Sequence, residues 1–168
     1  RFVAGSMGPT TKSLSVTGGA TFPEMVAAYR EQALGLLEGG CDLLLLETIQ
    51  DGLNAKAGIL AIMEAREALG SRVPMSLSCT IEPTGTMLAG QDVEAFWVSV
   101  EHAHPLFVGL NCSTGPGFMR DHVRALSELA TCFTSCYPNA GLPDENGCYN
   151  ESPEHVAATL REYAERGW

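Results

Sequence analysis

With 168 residues, 45% apolar content and 18 glycines, the chain has material for a sizeable core and no low-complexity stretch. A formal charge of −10 and a pI near 4.7 argue against nucleic acid and anionic membrane surfaces as partners, since both recruit clustered Lys and Arg. No apolar run approaches the roughly 20 residues that span a bilayer, and the six cysteines lack the dense spacing of a secreted disulfide scaffold, so reduced thiols and a cytoplasmic setting are expected.

A short apolar run, a polar or glycine-containing loop and an amphipathic helix follow one another five times. The first strand is read over Phe2 to Gly5. Thr21-Phe22-Pro23-Glu24 then forms a capping box, and the helix it opens carries Val26, Tyr29, Ala33, Leu36 and Leu37 to a stop at Gly39 and Gly40. Asp42 to Leu46 reads as the second strand. The helix after it, from about Leu53 to Leu69, should bury Ala57, Leu60, Ala61 and Ala65 and end at Gly70. Met75 to Thr80 is the third strand, and Val93, Phe96, Trp97 and Val100 form the stripe of the next helix. Leu106 to Leu110 is followed by Met119, Val123, Leu126 and Ala130 at helical spacing. Cys132 to Tyr137 is the fifth strand, and Ser152-Pro153-Glu154 opens a last helix with Val156, Leu160, Tyr163 and Ala164.

Strands apolar on both faces, or nearly so, belong to a parallel sheet covered by helices. A (β/α)8 barrel takes about 250 residues, or roughly 30 per unit, so the expected fold is α/β: a partial (β/α)8 TIM barrel of about five consecutive βα units. The strand at the first residues and the helix end at Gly167 add to the expectation of an internal fragment. A complete five-stranded doubly wound sheet is the alternative. Against it, no strand is followed by a Gly-x-Gly-x-x-Gly turn, and several post-strand loops are polar enough to ring one barrel mouth.

Each candidate functional residue is read just after a strand, where α/β folds keep their chemistry. Glu47 follows four leucines, so its carboxylate emerges at a low-dielectric wall suited to a substrate ammonium; it could equally cap the next helix or pair with Lys56. Cys112 is a metal-bound thiolate, a nucleophile or a small core residue, and Asn111 beside it supplies a carbonyl for a metal or a substrate. Asn139 could fill an open metal position or simply form a turn between Pro138 and Gly141. His102, His104, His122 and His155 read as solvated or capping residues, and Cys79 and Cys136 as packing residues. A makeshift zinc site of those two cysteines with Cys112 is the lesser alternative.

Leu46-Glu47-Thr48-Ile49-Gln50-Asp51-Gly52-Leu53-Asn54-Ala55-Lys56-Ala57, Gly109-Leu110-Asn111-Cys112 and Tyr137-Pro138-Asn139-Ala140-Gly141-Leu142-Pro143 go further. With Ala4-Gly5-Ser6-Met7-Gly8-Pro9-Thr10 and Leu88-Ala89-Gly90-Gln91, they resemble the homocysteine S-methyltransferase family, in particular the homocysteine-binding barrel of cobalamin-dependent methionine synthase. The resemblance runs in order through essentially the whole chain. It implies a barrel lacking its first two strands and its last, and a zinc ion held by three cysteine thiolates. Cys112 would be the first of these ligands; the adjacent pair that supplies the others is not in this sequence. It also implies that Glu47 grips the homocysteine ammonium, that Asn139 can occupy the fourth zinc position when substrate is absent, and that Asn111 and Ser113 belong to the substrate site. The expected donor is methylcobalamin, with folate, cobalamin and activation domains in the same parent chain. Short relatives use S-methylmethionine, S-adenosylmethionine or betaine. Readings of another class are a non-catalytic open-sheet module for a small ligand, and a fragment inactive alone.

Overall fold

A computed structural model describes residues 1–16 and 18–168. The apolar runs form one parallel sheet of β1 (Ala4–Met7), β2 (Leu43–Ile49), β3 (Met75–Cys79), β4 (Phe107–Asn111) and β5 (Phe133–Tyr137), ordered as in the chain. Between and after them run α1 (Phe22–Glu38), α2 (Gly52–Leu69), α3 (Val93–Val100), α4 (Pro116–Leu129) and α5 (Pro153–Glu165), each packed on the next. The order advances in one direction. A doubly wound sheet would reverse it at a switch point, so the arrangement is that of a barrel wall.

Local signals explain most of the element ends. Thr21 accepts the Glu24 N–H while the Glu24 carboxylate takes the Thr21 N–H, completing the expected capping box, and Gly70 ends α2 in the left-handed region. Two strand readings need correction. β1 starts at Ala4, because Phe2 is 92% exposed and contributes nothing to the sheet. β2 runs on to Ile49 through an irregularity between Leu46 and Ile49, which leaves Glu47 and Thr48 out of the pairing with β3. Glu47 therefore sits within a strand and not after it.

The core lies between the sheet and the helices, with Leu44, Leu46, Leu77, Val108 and Leu110 meeting Tyr29, Ala33, Ile62, Phe96 and Met119. Leu60, expected in this core, is exposed. At 100° per residue the buried stripe of α2 centres on Gly58, Ala61 and Ala65, and Leu60 falls nearly opposite. Gly58 belongs to that stripe because a Cβ there would sit 2.6 Å from Leu46 Cδ2, so α2 lies directly on β2.

At the far end, Arg120 of α4 grips Glu162 of α5 through two hydrogen bonds of 2.6 Å each, and the Tyr163 hydroxyl donates to the Pro116 carbonyl. The guanidinium holds the Glu162 carboxyl down at about 2, below its ordinary 4.5. A carboxyl depressed on folding stabilises above its unfolded value and loses that contribution as pH falls through the folded one. Unfolding midpoints should therefore decline from about pH 4.5 toward pH 2, and Glu162→Gln should flatten that part of the acid limb. A Gln variant with an unchanged acid limb would refute the assignment.

Candidate active site at the strand C-termini

The bulge in β2 aims two side chains into the mouth at the C-terminal ends of the strands. The Glu47 carboxylate accepts from Ser6 Oγ of β1 at 2.5 Å and from the Tyr137 hydroxyl of β5 at 3.1 Å. It does not cap α2, because Asp51 does that, and it makes no ion pair with Lys56 among the described residues. Burial pushes the Tyr137 phenol up, a Ser78 hydrogen bond lowers it only in part, and the neighbouring Glu47 charge raises it further, so it stays protonated as a donor. Among the described residues Glu47 thus has two neutral donors and no ion pair, and a positive group entering the mouth would find an uncompensated carboxylate.

Asn111 ends β4 with its side chain fully buried. Its Oδ1 accepts from Ser78 Oγ at 2.6 Å and from the Thr48 N–H at 3.1 Å. Its Nδ2 donates to Thr48 Oγ1 at 2.8 Å and to Cys112 Sγ at 3.2 Å. The amide is therefore fully engaged inside the protein and orients the thiol beside it. Cys112 is half-buried, and its sulfur also lies 3.9 Å from Thr48 Oγ1. Thr48, Cys112 and Ser113 all adopt the left-handed conformation, with φ of 55°, 56° and 57°. Three such non-glycine residues around one sulfur are the kind of local strain that functional sites retain.

Asn139 lies two residues beyond Tyr137, whose carbonyl accepts the Cys112 N–H at 3.3 Å, and its own N–H donates to the Thr114 carbonyl at 3.1 Å. The loops after β4 and β5 are thereby tied together. The side chains of Ser113 and Asn139 are half-buried and make no hydrogen bond among the described residues, which leaves them open to a ligand. Cys79 is fully buried within β3, and Cys136 turns its thiol to Met119 Sδ at 3.7 Å; burial drives the Cys136 thiol up to about 12. The makeshift site of these two with Cys112 is not formed, and no three His, Cys, Asp or Glu side chains come together to hold a metal among the described residues. Cys112 fits a metal centre as one ligand of several, its sulfur's hydrogen-bond partners among the described residues being donors.

The rim is held by a side chain whose role has no signature in the sequence. Asp51 is buried, accepts from the Ser13 hydroxyl and from the N–H and hydroxyl of Ser15, and also takes the Leu53 N–H to cap α2. Burial alone would raise its carboxyl, but the bonds from Ser15, Leu53 and Ser13 outweigh it and hold it below the usual value. The β1–α1 loop is thus fastened to the start of α2. The Tyr29 hydroxyl supports the same loop, donating to Asn54 Oδ1 at 2.6 Å, while Asn54 Nδ2 donates to the Pro9 and Lys12 carbonyls.

The sequence model of the family described as Homocysteine S-methyltransferase matches residues 1–168. The chain belongs to the homocysteine S-methyltransferase family. Among solved structures, the homocysteine methyltransferase MmuM of Escherichia coli is similar in three forms. The apo form is 23% identical with a TM-score of 0.65, over 83% of this chain and 50% of that one. The metallated form gives 23% and 0.66 over 83% and 49%, and the oxidized form 21% and 0.64 over 96% and 61%. At that identity the likeness concerns the fold, and it agrees with a partial barrel. This homocysteine S-methyltransferase family chain spans about half the length of the first of the solved structures it matches. A cavity of about 710 Å³ lies at the opposite ends of the strands between Pro74, Leu106 and Phe133 and holds none of the residues above. Position at the strand C-termini, not cavity size, selects the site in this architecture. No helix among the described residues is long and apolar enough to cross a membrane.

Proposed function

We propose that this chain carries the homocysteine-binding wall of a zinc-dependent homocysteine S-methyltransferase that makes methionine. One observation supports it most: among the described residues the Cys112 thiol has donors as its hydrogen-bond partners and shares a mouth with Glu47, a carboxylate in no ion pair. Homocysteine brings the complement, a sulfur for the metal side and an ammonium for the carboxylate. Zinc, when bound, lowers the pKa of the substrate thiol so that thiolate is present near neutral pH. Cys112 would be one of its ligands and the Asn139 amide oxygen another when substrate is absent, with the remaining thiolates supplied from outside this sequence.

Ser6 and Tyr137 hold Glu47 in place to receive the ammonium, and the Ser113 backbone, next to the N-terminus of α4, suits the substrate carboxylate. Asn111 contributes by fixing Cys112 and not by touching substrate. In the transfer, the sulfur lone pair forms a bond to the methyl carbon as the bond from that carbon to its carrier breaks. The bonding pair departs with the carrier, and the thiol proton has already passed to solvent. Methylcobalamin is the proposed carrier, with folate, cobalamin and activation domains in the same parent chain and homocysteine as the diffusing partner. S-methylmethionine, S-adenosylmethionine and betaine are the alternatives, and the 168 residues would form five units of the barrel without its first two strands and its last.

The test is methionine formation by the full-length zinc-loaded protein, with each donor offered in turn. Zinc uptake without methylation of homocysteine from any donor would refute the activity. Glu47→Gln should raise the homocysteine KM about 30-fold, equivalent to roughly 2 kcal/mol for an ammonium deprived of its carboxylate. Zinc content should not change. An unaltered KM would remove Glu47 from the substrate site.

A further inference from the structure

Thr48 is β-branched and yet holds φ at 55°, a conformation in which such a residue is an outlier. The bulge supplies the reason. With Leu46 paired to Leu77 and Ile49 to Cys79, the Thr48 N–H is withdrawn from the ladder and donates instead to Asn111 Oδ1 at 3.1 Å, while Thr48 Oγ1 accepts from Asn111 Nδ2 at 2.8 Å. These two bonds grip both ends of one amide.

The grip decides which way the amide points. Ser78 Oγ, at 2.6 Å from Oδ1, can donate or accept and would tolerate either orientation. The Thr48 N–H can only donate, so it requires the oxygen on its side and sends the NH2 toward Cys112 Sγ, 3.2 Å away. Since Thr48 Oγ1 takes its hydrogen bond from Asn111, its own proton is available to the same sulfur at 3.9 Å. We propose that Thr48 is a positioning residue for Cys112, which clamps the Asn111 amide so that the sulfur meets donors and is aimed into the mouth as a metal ligand. This rests on the reading of Cys112 as a zinc ligand, and it assigns the backbone strain a purpose: an ordinary strand conformation would return the Thr48 N–H to the sheet.

Zinc dissociation constants by chelator competition, together with thermal midpoints, test this in the full-length protein. Thr48→Val keeps the branched shape and removes the hydroxyl; zinc binding should weaken at least about 10-fold, as for other lost partners of metal ligands, while the midpoint falls only as far as one lost hydrogen bond requires and the protein stays folded. Thr48→Ser restores the hydroxyl and should return zinc affinity to near the wild-type value. Thr48→Gly relieves the strained φ and keeps the N–H, so its midpoint should lie above that of the Val variant while zinc still weakens as in that variant. Wild-type zinc affinity in the Val and Gly variants, or a Ser variant as weak as Val, overturns the proposal. Zinc retained undiminished when Cys112 is replaced by Ala would overturn the underlying reading as well, and separates the two.

Discussion

Cys112→Ala in the full-length protein is expected to lose zinc and methyl transfer together while folding normally. Alanine adopts the left-handed conformation about as readily as cysteine, and the Cys112 N–H bond to Tyr137 needs no side chain. Cys112 is half-buried and its sulfur has Asn111 and Thr48 as hydrogen-bond partners, so stability should change by no more than about 1 kcal/mol. The functional loss is larger. A free thiol with a pKa near 8.5 is only about 3% ionised at pH 7, so the absence of metal activation alone removes roughly 30-fold in rate, before any loss of substrate positioning. Zinc content by atomic spectroscopy and turnover at saturating homocysteine are the measurements. A zinc-loaded, active Ala variant would show that Cys112 is a packing residue.

Gly109→Ala should have the largest effect on folding. Gly109 lies in the middle of β4, between Ser78 of β3 and Ser135 of β5. A Cβ there would fall within the van der Waals surface of the Ser135 hydroxyl and backbone carbonyl oxygen, and 2.9 Å from the Ser135 carbonyl carbon. Backbone cannot rotate aside as a side chain can, so β4 and β5 must separate across a register of five residue pairs. We expect a loss of more than about 3 kcal/mol, at or beyond the upper end of overpacking costs. Separation would also detach Tyr137 from Glu47 and Asn139 from Thr114. Gly35→Ala is the control: it lies within α1 with open space around it and should stabilise by about 0.5–1 kcal/mol. Denaturant midpoints decide the comparison, and a Gly109 variant as stable as the control would refute the packing argument.

The parts of the fold visible in the sequence are those set by neighbours along the chain. Thr21 and Glu24 specify a helix start within four residues, and the run Met75 to Cys79, buried throughout, reads as a strand from its composition. Leu60 illustrates the limit, since several apolar residues of α2 compete for one buried face and the winner depends on where β2 lies. The site divides in the same way. Cys112 and Glu47 are visible as a thiol and a carboxylate after apolar runs, and the order of motifs carries the family. The bulge that re-aims Glu47 and Thr48 has no signature in Leu43–Ile49, because it is a property of two strands in register. Nor does the sequence distinguish an Asn that meets substrate from one whose amide is consumed by Thr48, Ser78 and Cys112. Ser78 and Tyr137 were hidden as ordinary strand residues. Both are decided by contacts across 33 and 90 residues.

Asp51, gathering Ser13, Ser15 and the first turn of α2 on one carboxylate, bears on when order is acquired at the mouth. The described residues between β1 and α1 form no helix or strand, yet the Ser15 N–H donates to the buried Asp51 carboxylate at 2.7 Å and should exchange its hydrogen slowly, as one inside a helix does. A rim of that kind loses its conformational entropy when the chain folds, and a ligand arriving later has that much less disorder to remove.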